Sequence, residues 1–190
     1  MAERVKVLIP EQEVNKKILE VAERINADYE GRSVHLICIL KGGALFMCEL
    51  AKRLKIPASF DFMSVSSYGG GTVSSGVVKI VKDLDESLEG KEVIIVEDII
   101  DSGRTLAYLV DVLMKRGPKS IKICTLLDKP SRRVKKEVTV DYTGFVIPDE
   151  FVVGYGLDYD QRYRNLPFIG VVEFDDEQSA LQPQGDVEKE

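Results

Sequence analysis

Tryptophan is absent from this 190-residue chain and histidine occurs once, as His35. The missing tryptophan says nothing about function. The lone histidine lies inside an apolar run and reads as a satisfied core residue rather than a catalyst. Cysteine is scarce. Cys38, Cys48 and Cys124 are far apart with no C-x-x-C pair, so zinc and dithiol chemistry are not expected, and buried free thiols are. No apolar stretch approaches the ~20 residues that cross a bilayer. The first 14 residues lack the apolar core of a signal peptide, which points to a cytoplasmic protein. Positive charge is not in excess: 26 Lys and Arg stand against 32 Asp and Glu, a net charge of -6. That balance speaks against bulk nucleic-acid binding. It still permits an anionic small ligand, which a few cations and a metal ion can hold locally. No G-x-x-x-x-G-K-[ST] string occurs, and Gly154-x-Gly156 has Tyr159 where a dinucleotide fingerprint needs its third glycine. Both common nucleotide motifs are therefore missing.

What is present is the pattern of an α/β protein. The composition, 44% hydrophobic and 31% charged, is that of a globular chain long enough for one full core plus a lid or tail. Val14, Ile18, Val21, Ala22 and Ile25 form a helical stripe over 11–28. Residues 33–40 form a β-branched apolar run ended by Lys41-Gly42-Gly43, and a helical pattern over 44–54 stops before Pro57. Strand patterns follow at 58–66, 77–81, 93–96 and 120–127, with a helix over 105–116 ended by Gly117-Pro118. Short strands recur over 138–153, and 170–174 adds one more. This alternation predicts a largely parallel central sheet flanked by helices. The small residues of 68–76 suggest a mobile loop between two hairpin strands. Residues 175–190 are acidic, rich in Gln and poor in large apolar side chains, so a domain over 1–174 with a disordered tail is expected.

The sharpest feature is the string from Val93 to Thr105, VIIVEDIIDSGRT. A buried strand delivers its C-terminal end to a crevice, where ligands bind in open α/β sheets. Glu97 and Asp98 stand at that end, where burial without a partner is expensive. Ser102-Gly103-Arg104-Thr105 then opens a helix whose backbone N–H groups, hydroxyls and dipole make an anion cradle. A ligand bearing both hydroxyls and a phosphate, such as a ribose phosphate, would use both halves.

The string closely resembles the phosphoribosyl pyrophosphate motif of type I phosphoribosyltransferases. Three further segments resemble one branch, the hypoxanthine-guanine phosphoribosyltransferases: Leu40-Lys41-Gly42-Gly43, Ser67-Tyr68, and Lys129-Pro130 with 151–159 (FVVGYGLDY) and Arg164. The resemblance runs from about Val5 to Phe174. It implies a single α/β domain with a small hood from the terminal segments and a flexible hairpin lid beginning at Ser67 and Tyr68. It implies that Glu97 and Asp98 hold the ribose hydroxyls directly or through magnesium, and that Asp101 is the general acid/base near purine N7. Ser102, Gly103, Arg104 and Thr105 would take the 5-phosphate. Phe151 would stack on the base, Val152 would meet it through backbone groups, and Lys129 would face the 6-oxo group. Asp158 would bind a second magnesium, with Lys41, Gly42 and Arg164 on pyrophosphate and a non-proline cis bond between Leu40 and Lys41. A homodimer or homotetramer is implied too.

Three functions stay open on the sequence. The first is a purine salvage transferase making IMP, and GMP from guanine. The second is a non-catalytic regulator that senses phosphoribosyl pyrophosphate. The third is a transferase for another base, such as xanthine, adenine or orotate. Asp101, Lys41 and Arg164 favour an enzyme, and Lys129 and Phe151 favour a 6-oxopurine. The basic run Arg132, Arg133, Lys135 and Lys136 reads as a solvated loop, and Asp141, Asp149 and Asp160 receive no role.

Overall fold

A computed structural model describes residues 3–67 and 78–174. Tyr68, most of the expected lid and the 175–190 tail lie outside the described residues. The chain runs β1 (Glu3–Ile9), α1 (Glu11–Asp28), β2 (Val34–Leu40), α2 (Ala44–Ala51), β3 (Ala58–Ser67), β4 (Val78–Lys82), β5 (Glu92–Ile100), α3 (Arg104–Met114), β6 (Ser120–Asp128), a 3-10 turn (Pro130–Arg132), β7 (Tyr142–Val146), β8 (Val152–Val153) and β9 (Ile169–Phe174).

Six strands form one sheet in the order β4-β3-β2-β5-β6-β7. Every neighbouring pair is parallel except β3 with β4. This is the mostly parallel sheet expected from the alternating pattern. The alternation of side chains along the central strands divides the core in two. Leu36 and Cys38 of β2 and Ile94 and Val96 of β5 pack with Val14, Ile18 and Val21 of α1 and Phe46 and Leu50 of α2. Their neighbours Ile37, Ile39, Val93 and Ile95 face Leu106, Leu109 and Leu113 of α3. Strands covered on both faces must be apolar throughout, which is why β2 and the first half of β5 read as unbroken runs. Each fully buried Ile or Leu contributes about 1.5–3 kcal/mol relative to exposure.

Helix α1 enters from Pro10, whose φ of -64° suits a helix start, and carries Glu11 and Glu13 in its first turn, where the dipole favours acids. Helix α2 is three residues shorter than its periodicity suggests. Helix α3 begins at Arg104 and ends before Gly117, whose φ of +75° no ordinary helical residue adopts.

Two departures from the sequence reading bear on the site. Strand β5 does not stop at Val96. It continues to Ile100 because β6 keeps pairing with it, Glu97 opposite Thr125 and Ile100 opposite Asp128. Glu97 and Asp98 thus belong to a rigid strand and not to a loop. Strand β1 has no counterpart in the sequence reading. It pairs antiparallel with β9, which pairs with β8, to form a separate three-stranded sheet. That sheet is the hood, built from the two ends of the described residues. His35 is only half satisfied: Nδ1 lies 2.8 Å from Ser59 Oγ, while Nε2 is buried without a partner. Burial, helped by Lys91, lowers its pKa.

Candidate active site

The C-terminal ends of β2, β5 and β6 converge beneath the hood, and two backbone loops and one carboxyl group are closely stacked there. The Leu40–Lys41 peptide bond is cis, as the family resemblance implied, and Gly42 follows it. A methyl group on Gly42 would lie 1.6 Å from Asp98 Oδ2. One on Gly156, at φ +103°, would lie 2.0 Å from the Gly42 carbonyl oxygen. At Gly156 only glycine fits, against backbone and at a positive φ; at Gly42 a side chain would have to push the Asp98 carboxyl aside. The stack brings together the Lys41-Gly42 loop, the acidic end of β5 and the loop that follows β8.

Arg164 ties that last loop to itself and to an acid. It donates to the Gly156 carbonyl at 2.7 Å and pairs with Asp158 Oδ1 at 2.7 Å. Lys41 donates to Gln161 Oε1 at 3.1 Å, and the Gln161 amide donates to Asp158 at 2.8 Å. The expected pyrophosphate residues Lys41, Gly42 and Arg164 and the expected magnesium ligand Asp158 therefore lie in one cluster. Gln161 joins it unforeseen; at φ +62° it is set by the tight turn of the loop, which no sequence motif announces.

The two strand carboxyls differ from ordinary surface acids. Burial and then the neighbouring Asp98 push Glu97 well above the usual carboxylate range. Burial raises Asp98 to about 6, with Asp158 adding to the rise and Arg164 opposing it. Packing this much unneutralised acid together is unfavourable unless hydroxyl donors or a cation complete the site. Oxygen donors of this kind suit magnesium, which takes one or two carboxylates and leaves the rest of its shell to substrate phosphates and water.

One turn further on, the loop over 101–104 wraps a cavity of about 100 Å³ lined by Glu97, Asp101, Ser102, Gly103 and Thr105. That is room for roughly three water molecules, or one phosphate group. Gly103 takes φ +77° at the start of α3, and its amide face abuts Arg133, whose Cδ would lie 3.0 Å from an added Cβ. Arg133 is no solvated loop residue. Its guanidinium holds the Asp101 carbonyl at 3.2 Å, the Val138 carbonyl at 3.3 Å and the Asp128 carboxylate at 2.5 Å. The amides of Val134 and Lys135 both donate to the Ser102 carbonyl at 3.0 Å. Arg133 and the backbone of Val134 and Lys135 thus clamp the anion loop from behind, while Arg132, Lys135 and Lys136 stay exposed as the sequence reading had them.

Lys129 is 7% exposed, donates its ammonium to the Glu150 carbonyl and lies 3.9 Å from Asp149. Its amide donates to the Ile100 carbonyl at 3.0 Å, which sets it beside the acidic strand. Phe151 is 56% exposed and meets Tyr159 edge-on at 5.6 Å, so it is not core. Val152 is buried in β8. Arg104 is exposed at the first position of α3, and Ser67 ends β3 with its backbone paired to Val78. A larger cavity of about 710 Å³ lies at the opposite ends of the strands, lined in part by Arg32, His35, Glu92 and Lys119. Size is a poor guide there: Arg32 and Lys119 are both spent on Glu92 at 2.7 Å, and among the described residues no strand delivers its C-terminal end to it.

A parallel sheet that presents paired acids, an anion loop and a glycine-lined approach at one crevice defines a phosphoribosyl transfer fold, and residues 8–160 match the phosphoribosyl transferase domain family. The chain belongs to that family. It is 55% identical over 167 residues to the hypoxanthine-guanine phosphoribosyltransferase of Bacillus subtilis, covering 88% of this chain and 92% of that protein. It is 51% identical over 174 residues to the hypoxanthine phosphoribosyltransferase of Escherichia coli, covering 90% and 97%. It also matches the bifunctional protein TilS/HprT of Listeria monocytogenes at 57% over 167 residues; that match covers 88% of this chain and spans 26% of the longer protein. A solved hypoxanthine phosphoribosyltransferase of Staphylococcus aureus superimposes with a TM-score of 0.85 at 48% identity, covering 88% of this chain and 91% of that one.

Proposed function

We infer that the protein is a purine salvage transferase that joins hypoxanthine, and guanine in the same way, to the ribose 5-phosphate of phosphoribosyl pyrophosphate, releasing pyrophosphate. The observation that carries this reading is the contact of Gly42 with Asp98. It sets a backbone loop suited to pyrophosphate directly against acids suited to ribose hydroxyls, with the phosphate cavity one turn away.

Each group then has a task. Ser102, Gly103, Arg104 and Thr105 hold the 5-phosphate with backbone N–H groups at the start of α3 and with hydroxyls. Glu97 and Asp98 accept hydrogen bonds from the 2- and 3-hydroxyls. Lys41, Gly42 and Arg164 hold the pyrophosphate, which departs as a polyanion, so cations placed beforehand lower the barrier. Phe151 offers an exposed ring for the purine to stack on, backbone groups of Val152 meet its edge, and the Lys129 ammonium donates to the 6-oxo oxygen. Asp101 takes the proton from N7 as N9 bonds to the sugar carbon. Magnesium held by Asp158, and by Glu97 and Asp98 with the ribose hydroxyls, would neutralise charge on the leaving group. Ser67 and Tyr68 would begin a lid that keeps water from the cationic sugar carbon.

A cytoplasmic location fits three free thiols. A homodimer or homotetramer fits the exposed Leu45, Phe60 and Val81, and sedimentation at several concentrations tests it. The activity itself is tested by pyrophosphate release with phosphoribosyl pyrophosphate, magnesium and each base in turn. Release is expected with hypoxanthine and guanine. No release with any 6-oxopurine, xanthine included, would overturn the reading.

A further inference from the structure

Arg132 and Asp149 belong to none of the groups assigned above, yet they join its two halves. Arg132 closes the 3-10 turn that Pro130 opens after β6, with its amide donating to the Lys129 carbonyl at 3.1 Å. Its Nε lies 2.9 Å from Asp101 Oδ1, and its Nη1 lies 3.3 and 3.4 Å from the two oxygens of Asp149. Asp149 is in turn 3.9 Å from the Lys129 ammonium. One guanidinium therefore spans the anion loop and the loop that carries Phe151.

The contact with Asp101 has an unusual form. Oδ1 is fully buried against Arg132 Nε at 2.9 Å, while the Asp101 side chain as a whole is 44% exposed. The cation holds the carboxylate by charge and close packing. The exposed part of the carboxyl group is where an N–H on a purine can be accepted. The remaining charged groups near Asp101 do not compete. Glu97 shares its cavity as an acid, and Arg133 engages the Asp101 backbone carbonyl and Asp128.

We propose that Arg132 is a positioning residue for Asp101: it anchors the carboxylate through buried Oδ1 against the base loop, leaving the other oxygen of a side chain that is 44% exposed to accept the purine N–H. The proposal rests on Asp101 being the acid/base of the transfer. Arg132 is half exposed, so it adds little to stability, and its effect is on orientation. A carboxylate no longer held in line by a small displacement costs roughly ten- to a hundredfold in rate.

The test is a double-mutant cycle on the full chain, read by single-turnover rates and by KM for phosphoribosyl pyrophosphate. Arg132→Gln is expected to lower the transfer rate about tenfold, with that KM and the melting temperature unchanged. In the Asp101→Asn background the same change is expected to have no further effect, because there is no carboxylate left to position. A full multiplicative loss in both backgrounds, or no loss in the wild-type background, overturns the proposal. Near-normal turnover of Asp101→Asn alone overturns the acid/base reading instead, so the two failures are separable.

Discussion

Lys129 shows how much discrimination a single donor can carry. An ammonium only donates, and at 7% exposure it cannot exchange a lost partner for bulk water cheaply. The 6-oxo group of hypoxanthine or guanine accepts from it. The 6-amino group of adenine would face it donor to donor, leaving the N–H aimed at the purine without an acceptor. Sites with buried polar groups left unpaired discriminate by ~10⁴–10⁵-fold. The ratio of kcat/KM for hypoxanthine and adenine should fall in that range, and comparable values would remove Lys129 from the 6-position. Gly42 makes a second single-residue case. Gly42→Ala puts a methyl group onto the Asp98 carboxylate, so the loop or the acid must move by about an ångström. A displacement of that size costs on the order of 10²-fold in catalysis. The loss should appear in kcat/KM for phosphoribosyl pyrophosphate, and an alanine variant with normal values would show that the Gly42–Asp98 contact is dispensable.

Among the elements, β3 carries an acid that fastens the segment crossing back to β5. Asp61 is 4% exposed and accepts from the amides of Phe62, Asp85 and Glu86 at 2.7, 2.7 and 3.1 Å. Burial raises its pKa, but the three N–H donors and Lys82 outweigh burial and hold it below the ordinary 3.8. A carboxyl lowered on folding stabilises fully above its unfolded pKa and loses that contribution as pH falls through the folded value. Asp61→Asn should therefore cost about 2 kcal/mol near neutral pH, the range for hydrogen bonds to a charged group. The gap to wild type should narrow only below about pH 4, where the unfolded Asp titrates. Denaturant midpoints at pH 7, 5 and 3 check this, and a gap that stays constant would mean that the charge of Asp61 is not what matters. The elements also show what could be read in advance. The central strands and α1 were legible because burial on both faces, or on one helical stripe, leaves an unambiguous pattern. The continuation of β5 was not, because carboxylates at a strand end look like a loop until β6 is seen to pair with them. Strand β1 alternates charged and apolar residues with little burial and acquires its identity only from β9. The motif residues of the site were legible as a string. Arg132, Arg133 and Asp149 were not, since a charge run gives no sign of what it folds against.

At the scale of the whole molecule, the hood and the core share one apolar cluster. Val152, Tyr155, Leu157 and Ile169 of the hood side pack into the same cluster as α1, α2 and one face of the sheet. The loop bearing Asp158 and Arg164 is thereby held in fixed relation to Gly42. Ile169→Ala, at a fully buried position, is expected to cost about 2–5 kcal/mol. It should raise KM for phosphoribosyl pyrophosphate as well, because its packing sets the height of that loop. Thermal melts alongside kinetics separate the two effects; lost stability with unchanged KM would show that the loop is held locally.

The pairing of the first and last described strands has a mechanical side. Glu3 lies opposite Phe174 and Ile9 opposite Ile169, so the two strands meet at their outer ends and run inward together. A force drawing Glu3 and Phe174 apart would load one ladder hydrogen bond after another, like the teeth of a zip, rather than all of them in parallel. Held between those two points in an optical trap, the molecule should surrender its hood at low tension, and the six-stranded sheet should rip only later, at a higher one.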